Sequence, residues 1–158
     1  METNIAFAQP NADFPTLNFG EYHCQILPDN VKKYASLAME DIQGVAPIAF
    51  KIPNGDSYTY RPTATTIDII AGDDLAKTIV LLDQKDFSDL VHEIKTVSGL
   101  VRTFRVDFEK GDLDHFRRWQ PTLRALFSGR PIYSAKTQQQ LLDSSGEPFD
   151  FSRKFTLD

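Results

Sequence analysis

Cysteine is nearly missing from this chain. Cys24 stands alone among 158 residues, which excludes an intramolecular disulfide framework and fits a reducing compartment. Long apolar runs are missing too, since no window approaches the roughly 20 residues of a membrane span. The opening METNIAFAQPNADFP has neither a positive n-region nor an apolar h-region, so no secretory signal is read. There is no excess of positive charge. Seventeen Lys and Arg face 22 Asp and Glu, giving a net charge of −5 and a pI near 5.1. That balance disfavours a nucleic-acid partner and broad adsorption to anionic membranes. The expectation is a soluble, cytoplasmic protein.

Recognisable catalytic sets are also wanting. The three histidines are followed by Cys24-Gln25, Glu93-Ile94 and Phe116-Arg117, and none begins the His-x-Asp/Glu pattern of a mononuclear iron oxygenase. One cysteine and scattered histidines make no zinc spacing. No Gly-x-Gly-x-x-Gly or Walker pattern occurs. Glu40-Asp41, Asp73-Asp74 and Asp112 with Asp114 read as solvated turns and caps, with no matched acid/base pair. His23 and Cys24 adjoin in an extended arm, where neighbours point to opposite sides, so Cys24 reads as a half-buried structural residue. His115, in the first turn of a helix, reads as neutral and structural. The expectation is no enzyme, no cofactor and no metal.

What is present is a large set of apolar and aromatic side chains in regular patterns. At 158 residues the chain is read as one domain able to bury about 70% of its unfolded surface. Residues 1–27 read as irregular, punctuated by Pro10, Pro15 and Pro28 and rich in Phe7, Phe14, Leu17, Phe19 and Tyr22. Asp29 or Asn30 then caps a helix with Val31, Tyr34, Ala35, Ala38 and Ile42 on one face, ending at Gly44. Three strands follow, through Ile48–Ile52, Tyr58–Arg61 and Thr66–Ile70, the first two joined by the turn Pro53-Asn54-Gly55-Asp56. Thr78–Leu82 is apolar on both faces, as a central strand would be.

Asp83 is expected to cap the next helix, with Phe87, Leu90, Val91, Ile94, Val97 and Val101 on one face and Gly99 interrupting or ending it. Phe104, Val106 and Phe108 alternate with polar residues, as in a strand with one wet face. Asp112 caps a last helix with Leu113, Phe116, Trp119, Leu123, Leu126 and Phe127 on its face. Pro121 should kink it or restart it, and Gly129 and Pro131 end it. Thr137 to Leu142 reads as a short helix, before a tail with Phe149, Phe151, Phe155 and Leu157. The fold class is α+β: a single five-stranded mixed sheet with helices packed on one face.

The segment Ile79–Pro131 resembles the sterol-carrier-protein-like lipid-binding domains. The carriers of the resemblance are the strand TIVLLD, the helix beginning FSDLV, the strand-turn FRVDFEKGD and the closing helix. HEIKTVSGLVRTFRVDFEKGDLDHFRRWQPTLRALFSGRPIY resembles the variety found ahead of phytanoyl-CoA-dioxygenase-like domains, in which the carrier-like part ends near a motif such as FTLD. The resemblance spans roughly residues 30–158. It implies a hydrophobic tunnel between sheet and helices that accepts acyl chains or sterols. Where many such domains have a glycine before the last strand, Thr103 and Phe104 stand, and their bulk is expected to narrow the tunnel. The Ser-Lys-Leu ending of eukaryotic members is absent; the chain ends Thr156-Leu157-Asp158, so no peroxisomal address is read.

This divides the chain into a Phe-rich arm (1–28), a carrier-like domain (29–131) and a tail (132–158) that packs on it or leads to a further domain. The expected function is non-catalytic carriage of a fatty acid, fatty acyl-CoA or sterol-like lipid, for presentation to a partner or fused enzyme. Phe87, Leu90, Ile94, Val97, Val101, Phe104, Phe116, Trp119, Leu123 and Phe127 are expected to line the site. His92, Arg117 and Arg124 are the head-group candidates, Arg117 and Arg124 because seven residues apart places them on one helix face. Arg102, Arg105, Arg118 and Arg130 add to that arginine-rich surface. The partner expected is a lipid or acyl chain, with a homodimer or an adjoining dioxygenase-like domain as further possibilities. The Phe-rich arms 1–27 and 146–158 can pack on a neighbour, which motivates the alternative of a solid interaction or dimerisation module with no ligand.

Overall fold

A computed structural model describes residues 14–132 and Asp150. Phe7, the segment 137–142 and Phe149, Phe151, Phe155 and Leu157 lie outside the described residues. The five strands are β1 (Ile48–Lys51), β2 (Ser57–Pro62), β3 (Ile67–Ala71), β4 (Thr78–Leu82) and β5 (Val106–Lys110), in spatial order β3-β2-β1-β4-β5. β1 and β4 run parallel, and the other neighbours are antiparallel. The expected turn between β1 and β2 is made by Asn54, whose Oδ1 accepts from the Asp56 amide at 2.8 Å.

One sheet face is apolar and carries the helices. Ile48, Phe50, Tyr60, Val80 and Leu82 from that face join Phe87, Phe116 and Trp119 in the core. On the other face Lys51 bridges Asp73 and Glu109, and Arg61 pairs with Asp68. Such exposed pairs add little stability.

The helical layer departs from the sequence reading in three places. The N-terminal segment is not irregular throughout. A helical run starts at Phe19, with Asn18 Oδ1 accepting from the Glu21 amide, and passes through a π turn (Tyr22–Ile26) into α1 (Leu27–Tyr34). Pro28 therefore sits in the first turn of α1, where its missing amide proton is tolerated. Asp29 lies in that first turn instead of capping it. The helical face expected through Ile42 is broken by a 3₁₀ turn at Ala35–Leu37, after which α2 (Met39–Ile42) resumes.

The helix expected from Asp83 to Val101 is two helices, α3 (Gln84–Val91) and α4 (Val97–Arg102). α3 ends with Glu93 in the left-handed region at φ 59°. The Glu93 amide donates to the Leu90 carbonyl and the Ile94 amide to Asp89, which is the double bond pattern of a left-handed helix end. α4 ends the same way, with Phe104 at φ 57°, its amide on Val101 and the Arg105 amide on Leu100. Phe104 is thus outside β5 and 93% exposed. Its bulk points to solvent and narrows nothing.

α5 (Leu113–Ser128) is capped by Asp112, which accepts from the His115 amide at 2.9 Å. It continues as one helix through Pro121 and does not restart there. Gly129 ends it at φ 68°, with the Tyr34 ring so close that a Cβ would fall 2.7 Å from it; only glycine meets both demands.

Candidate functional site

Three side-chain groups position the helical layer. The first is aromatic and buried. His23 is 2% exposed and lies parallel to the Tyr58 ring at 4.3 Å. Its Nδ1 is 2.7 Å from the Phe19 carbonyl and its Nε2 2.7 Å from the Tyr60 hydroxyl. A carbonyl can only accept, so Nδ1 carries the proton and Nε2 accepts from Tyr60. Burial lowers the His23 pKa to about 4. This corrects the expectation of an extended arm: His23 is a buried latch between the N-terminal helical run and β2, while Cys24 is exposed.

The second is a carboxylate knot at the start of α3. Asp86, 1% exposed, accepts from Lys95 Nζ at 2.7 Å and from Arg105 Nε at 2.9 Å. Burial pushes its carboxyl up, but the two cations together outweigh that and hold it below its ordinary value. Lys95 also reaches Asp89, and Arg105 reaches Asp83. The knot ties the start of α3 to the segments on either side of α4.

The third anchors α5. The Ala46 carbonyl accepts from His115 Nε2 and from Trp119 Nε1, both at 2.9 Å. The hydroxyl of Thr78 then donates to His115 Nδ1. Burial lowers the His115 pKa, so the ring is neutral, as its place in the first helical turn suggests.

Between these anchors the helices separate. An open cleft of about 450 Å³ lies between the segment from Leu90 to Val97 and the C-terminal half of α5. Leu90, Val97, Leu123 and Phe127 give it an apolar floor. Glu93, Lys95, Gln120, Arg124 and Arg130 form a polar rim. Glu93 spans the opening: its Oε1 accepts from Arg124 Nε at 3.1 Å and its Oε2 from Arg130 Nη2 at 3.0 Å. Volume and lining suit a small amphiphile.

No protein-family model and no curated protein matches the sequence. Solved structures do match. Sterol carrier protein 2 of Yarrowia lipolytica, in its apo form, superposes with a TM-score of 0.55 at 18% identity, over 73% of this chain and 99% of that one. Sterol carrier protein domain 2 of Helicoverpa armigera gives 0.52 at 14% identity, over 77% and 99%. The UbiJ-SCP2 ubiquinone synthesis protein gives 0.52 at 14% identity, over 75% and 99%. The fold is that of sterol carrier protein 2.

Within this sterol-carrier-like fold the residues singled out by the sequence fall into three places. Leu90, Val97, Leu123, Phe127 and Arg124 come together around the cleft. Phe87, Phe116 and Trp119 are fully buried beneath the helices, in ring contacts with Phe50, Phe108 and Tyr60. The remainder lie elsewhere. Ile94 is 45% exposed, because the break after Val91 turns it outward. Val101 is half-buried on α4. Phe104 is on the surface. His92 lies against the Phe14 ring at 4.9 Å. Arg117 is exposed and is not among the cleft residues, so it does not share the site with Arg124. The cleft lies between helices, not between helices and sheet. Arg130, one of the arginines singled out by the sequence, also reaches the rim, whereas sequence reasoning missed Glu93, Lys95 and Gln120, which no local motif marks.

No described helix is long and apolar enough to cross a membrane. Among the described residues no three His, Cys, Asp or Glu side chains form a group that could hold a metal.

Proposed function

We propose that this chain binds and carries one hydrophobic ligand, a fatty acid, fatty acyl-CoA or sterol-like lipid, without catalysing a reaction on it. The observation that carries the reading is the cleft between α3–α4 and α5, with four apolar side chains beneath a charged rim. The sterol-carrier-like fold supports it, and so do the structural neighbours from Yarrowia lipolytica and Helicoverpa armigera, which are sterol carrier proteins. Leu90, Val97, Leu123 and Phe127 contact the apolar part, and Arg124 meets the head group. Phe87, Phe116 and Trp119 lie beneath and give the floor its rigidity. Each methylene taken from water contributes about 0.8 kcal/mol, so a chain of a dozen carbons binds measurably even if only half of it is covered.

The carrier unit is residues 29–131 together with the helical segment from Phe19 that they bury. It works in the cytoplasm and passes its ligand to a partner enzyme, such as an adjoining dioxygenase-like domain. Native mass spectrometry of delipidated protein mixed with palmitate tests this. A one-to-one adduct that is lost in the Leu123→Asp variant supports carriage. No adduct in excess palmitate, together with unchanged Trp119 fluorescence, leaves a solid interaction module instead.

A further inference from the structure

The rim of the cleft is already occupied by a carboxylate, and that carboxylate belongs to the chain. Each oxygen of Glu93 takes a different arginine, Arg124 at 3.1 Å and Arg130 at 3.0 Å. The two guanidiniums therefore converge on one anion at the mouth of an apolar cleft. Counting Lys95, the rim holds three cations and one carboxylate on a protein whose net charge is −5. Lys95 is committed to Asp86 and Asp89, which leaves Glu93 as the partner of the two arginines.

The placement of Glu93 is costly for the backbone. It occupies the left-handed position that closes α3, where glycine is the usual residue. Its side chain is 24% exposed and those of Arg124 and Arg130 are 45% and 58% exposed. Ion pairs with this much solvent contact are weak and exchange readily. An arriving anion need only displace a weakly held one, while its tail covers the apolar floor below.

We infer that Glu93 is a built-in stand-in for the ligand's head group: it holds the two rim arginines, and an anionic amphiphile, carboxylate or phosphate, enters by taking Arg124 and Arg130 from it. The inference rests on the reading of the cleft as a lipid site and adds the class of head group and the means of entry. The tail supplies the drive, since each methylene buried multiplies affinity about fourfold. The arginines supply the selectivity for an anion.

Binding of palmitate, hexadecyl phosphate and 1-hexadecanol, three amphiphiles of one chain length, tests it on the full chain by native mass spectrometry and displacement of a fluorescent fatty acid. Glu93→Gln removes the resident charge at constant shape. It should tighten binding of the anions by up to about fivefold, the worth of the exposed ion pairs it removes, and leave hexadecanol unchanged. The double variant Arg124→Gln, Arg130→Gln should weaken the anions by a similar factor, again sparing hexadecanol. Glu93→Gly, which also relieves the backbone, should behave as Glu93→Gln and serves as the check if that variant folds poorly. The better of the two anions identifies the head group as carboxylate or phosphate. If all three amphiphiles bind and neither set of variants separates anions from the alcohol, the stand-in role is overturned and carriage survives. If none of the three binds to any variant, both are overturned.

Discussion

The two halves of α5 carry the same amphipathic pattern and meet different fates. In the first half Phe116 packs against Phe50 and Phe108, Trp119 packs against Tyr60, and the Ala46 carbonyl holds His115 and Trp119 together. In the second half Leu123, Ala125 and Leu126 are also buried in the core, but Leu123 and the half-buried Phe127 line an open cleft towards α3 and the loop after it. Pro121 stands where one half gives way to the other. An apolar helical face becomes core where rings from the sheet rise to meet it. It becomes a binding surface where the opposing helix ends early. Here α3 ends early because the chain turns left-handed at Glu93.

Truncation should separate the halves most sharply. Trp119 is fully buried and hydrogen-bonded, so Trp119→Ala should cost about 3–5 kcal/mol of unfolding free energy. Phe127 is only half-buried, though it touches the rings of Tyr22, Tyr60 and Phe87; Phe127→Ala should cost about 1–2 kcal/mol, because less surface leaves water on folding. Chemical denaturation of both variants measures the gap. Equal losses would mean that the second half is sealed in the same way as the first.

Acid should act on the sealed region. Burial holds His23 at about 4 in the folded chain, against about 6.5 when unfolded. Between those values the unfolded chain binds a proton that the native one refuses. Stability from this group is therefore complete above pH 6.5, falls as the pH drops towards 4, and changes no further below that. The loss reaches about 3 kcal/mol. His115, lowered by burial as well, acts in the same direction. Gln can donate to the Phe19 carbonyl and accept from Tyr60, so His23→Gln should flatten most of the slope in denaturation midpoints between pH 7 and pH 4. An unaltered slope would place His23 in water or in contact with a carboxylate, neither of which its surroundings offer.

The sheet was legible because its signals are local. Alternation in Ile48–Ile52 and Tyr58–Arg61, with the Asn54-Gly55 turn between them, specifies a hairpin, and the doubly apolar Thr78–Leu82 specifies a strand covered by neighbours. The helix starts at Asp112 and, as a left-handed stop, Gly129 were equally plain. The helix breaks were not. The residues that close α3 and α4 are Glu93 and Phe104, and neither announces a left-handed turn as glycine does. The periodicity of Leu90, Ile94, Val97 and Val101 therefore runs on across the break in the sequence, although Ile94 faces water. The site inherited that error. Leu90, Val97, Leu123, Phe127 and Arg124 come from helical spacing that survives, whereas Glu93 and Arg130 join only through the turns at Glu93 and Gly129. His23 was misplaced for a related reason, since Pro28 suggests an interruption where it in fact sits in the first turn of α1.

The two left-handed helix ends allow the finest comparison, and the smallest effect. A side chain in that conformation costs about 1–2 kcal/mol, and glycine removes the cost while adding back some unfolded-state entropy. Phe104 is 93% exposed and lies among no core residues, so Phe104→Gly gives up almost nothing else. It should raise stability by about 0.5–1 kcal/mol, a few degrees in the thermal midpoint. Glu93→Gly gains the same backbone relief but loses two ion pairs with exposed arginines, worth about 0–1 kcal/mol in all. Its net change should lie near zero. The difference between the two glycine variants thus isolates what the Glu93 bridge contributes to the empty protein, and repeating the pair in 1 M salt, where the Debye length shrinks to about 3 Å, should bring the two together. A Phe104→Gly variant less stable than the parent would show that the ring is packed, not exposed. A gap between the two that ignores salt would show that Glu93 is held by something other than charge.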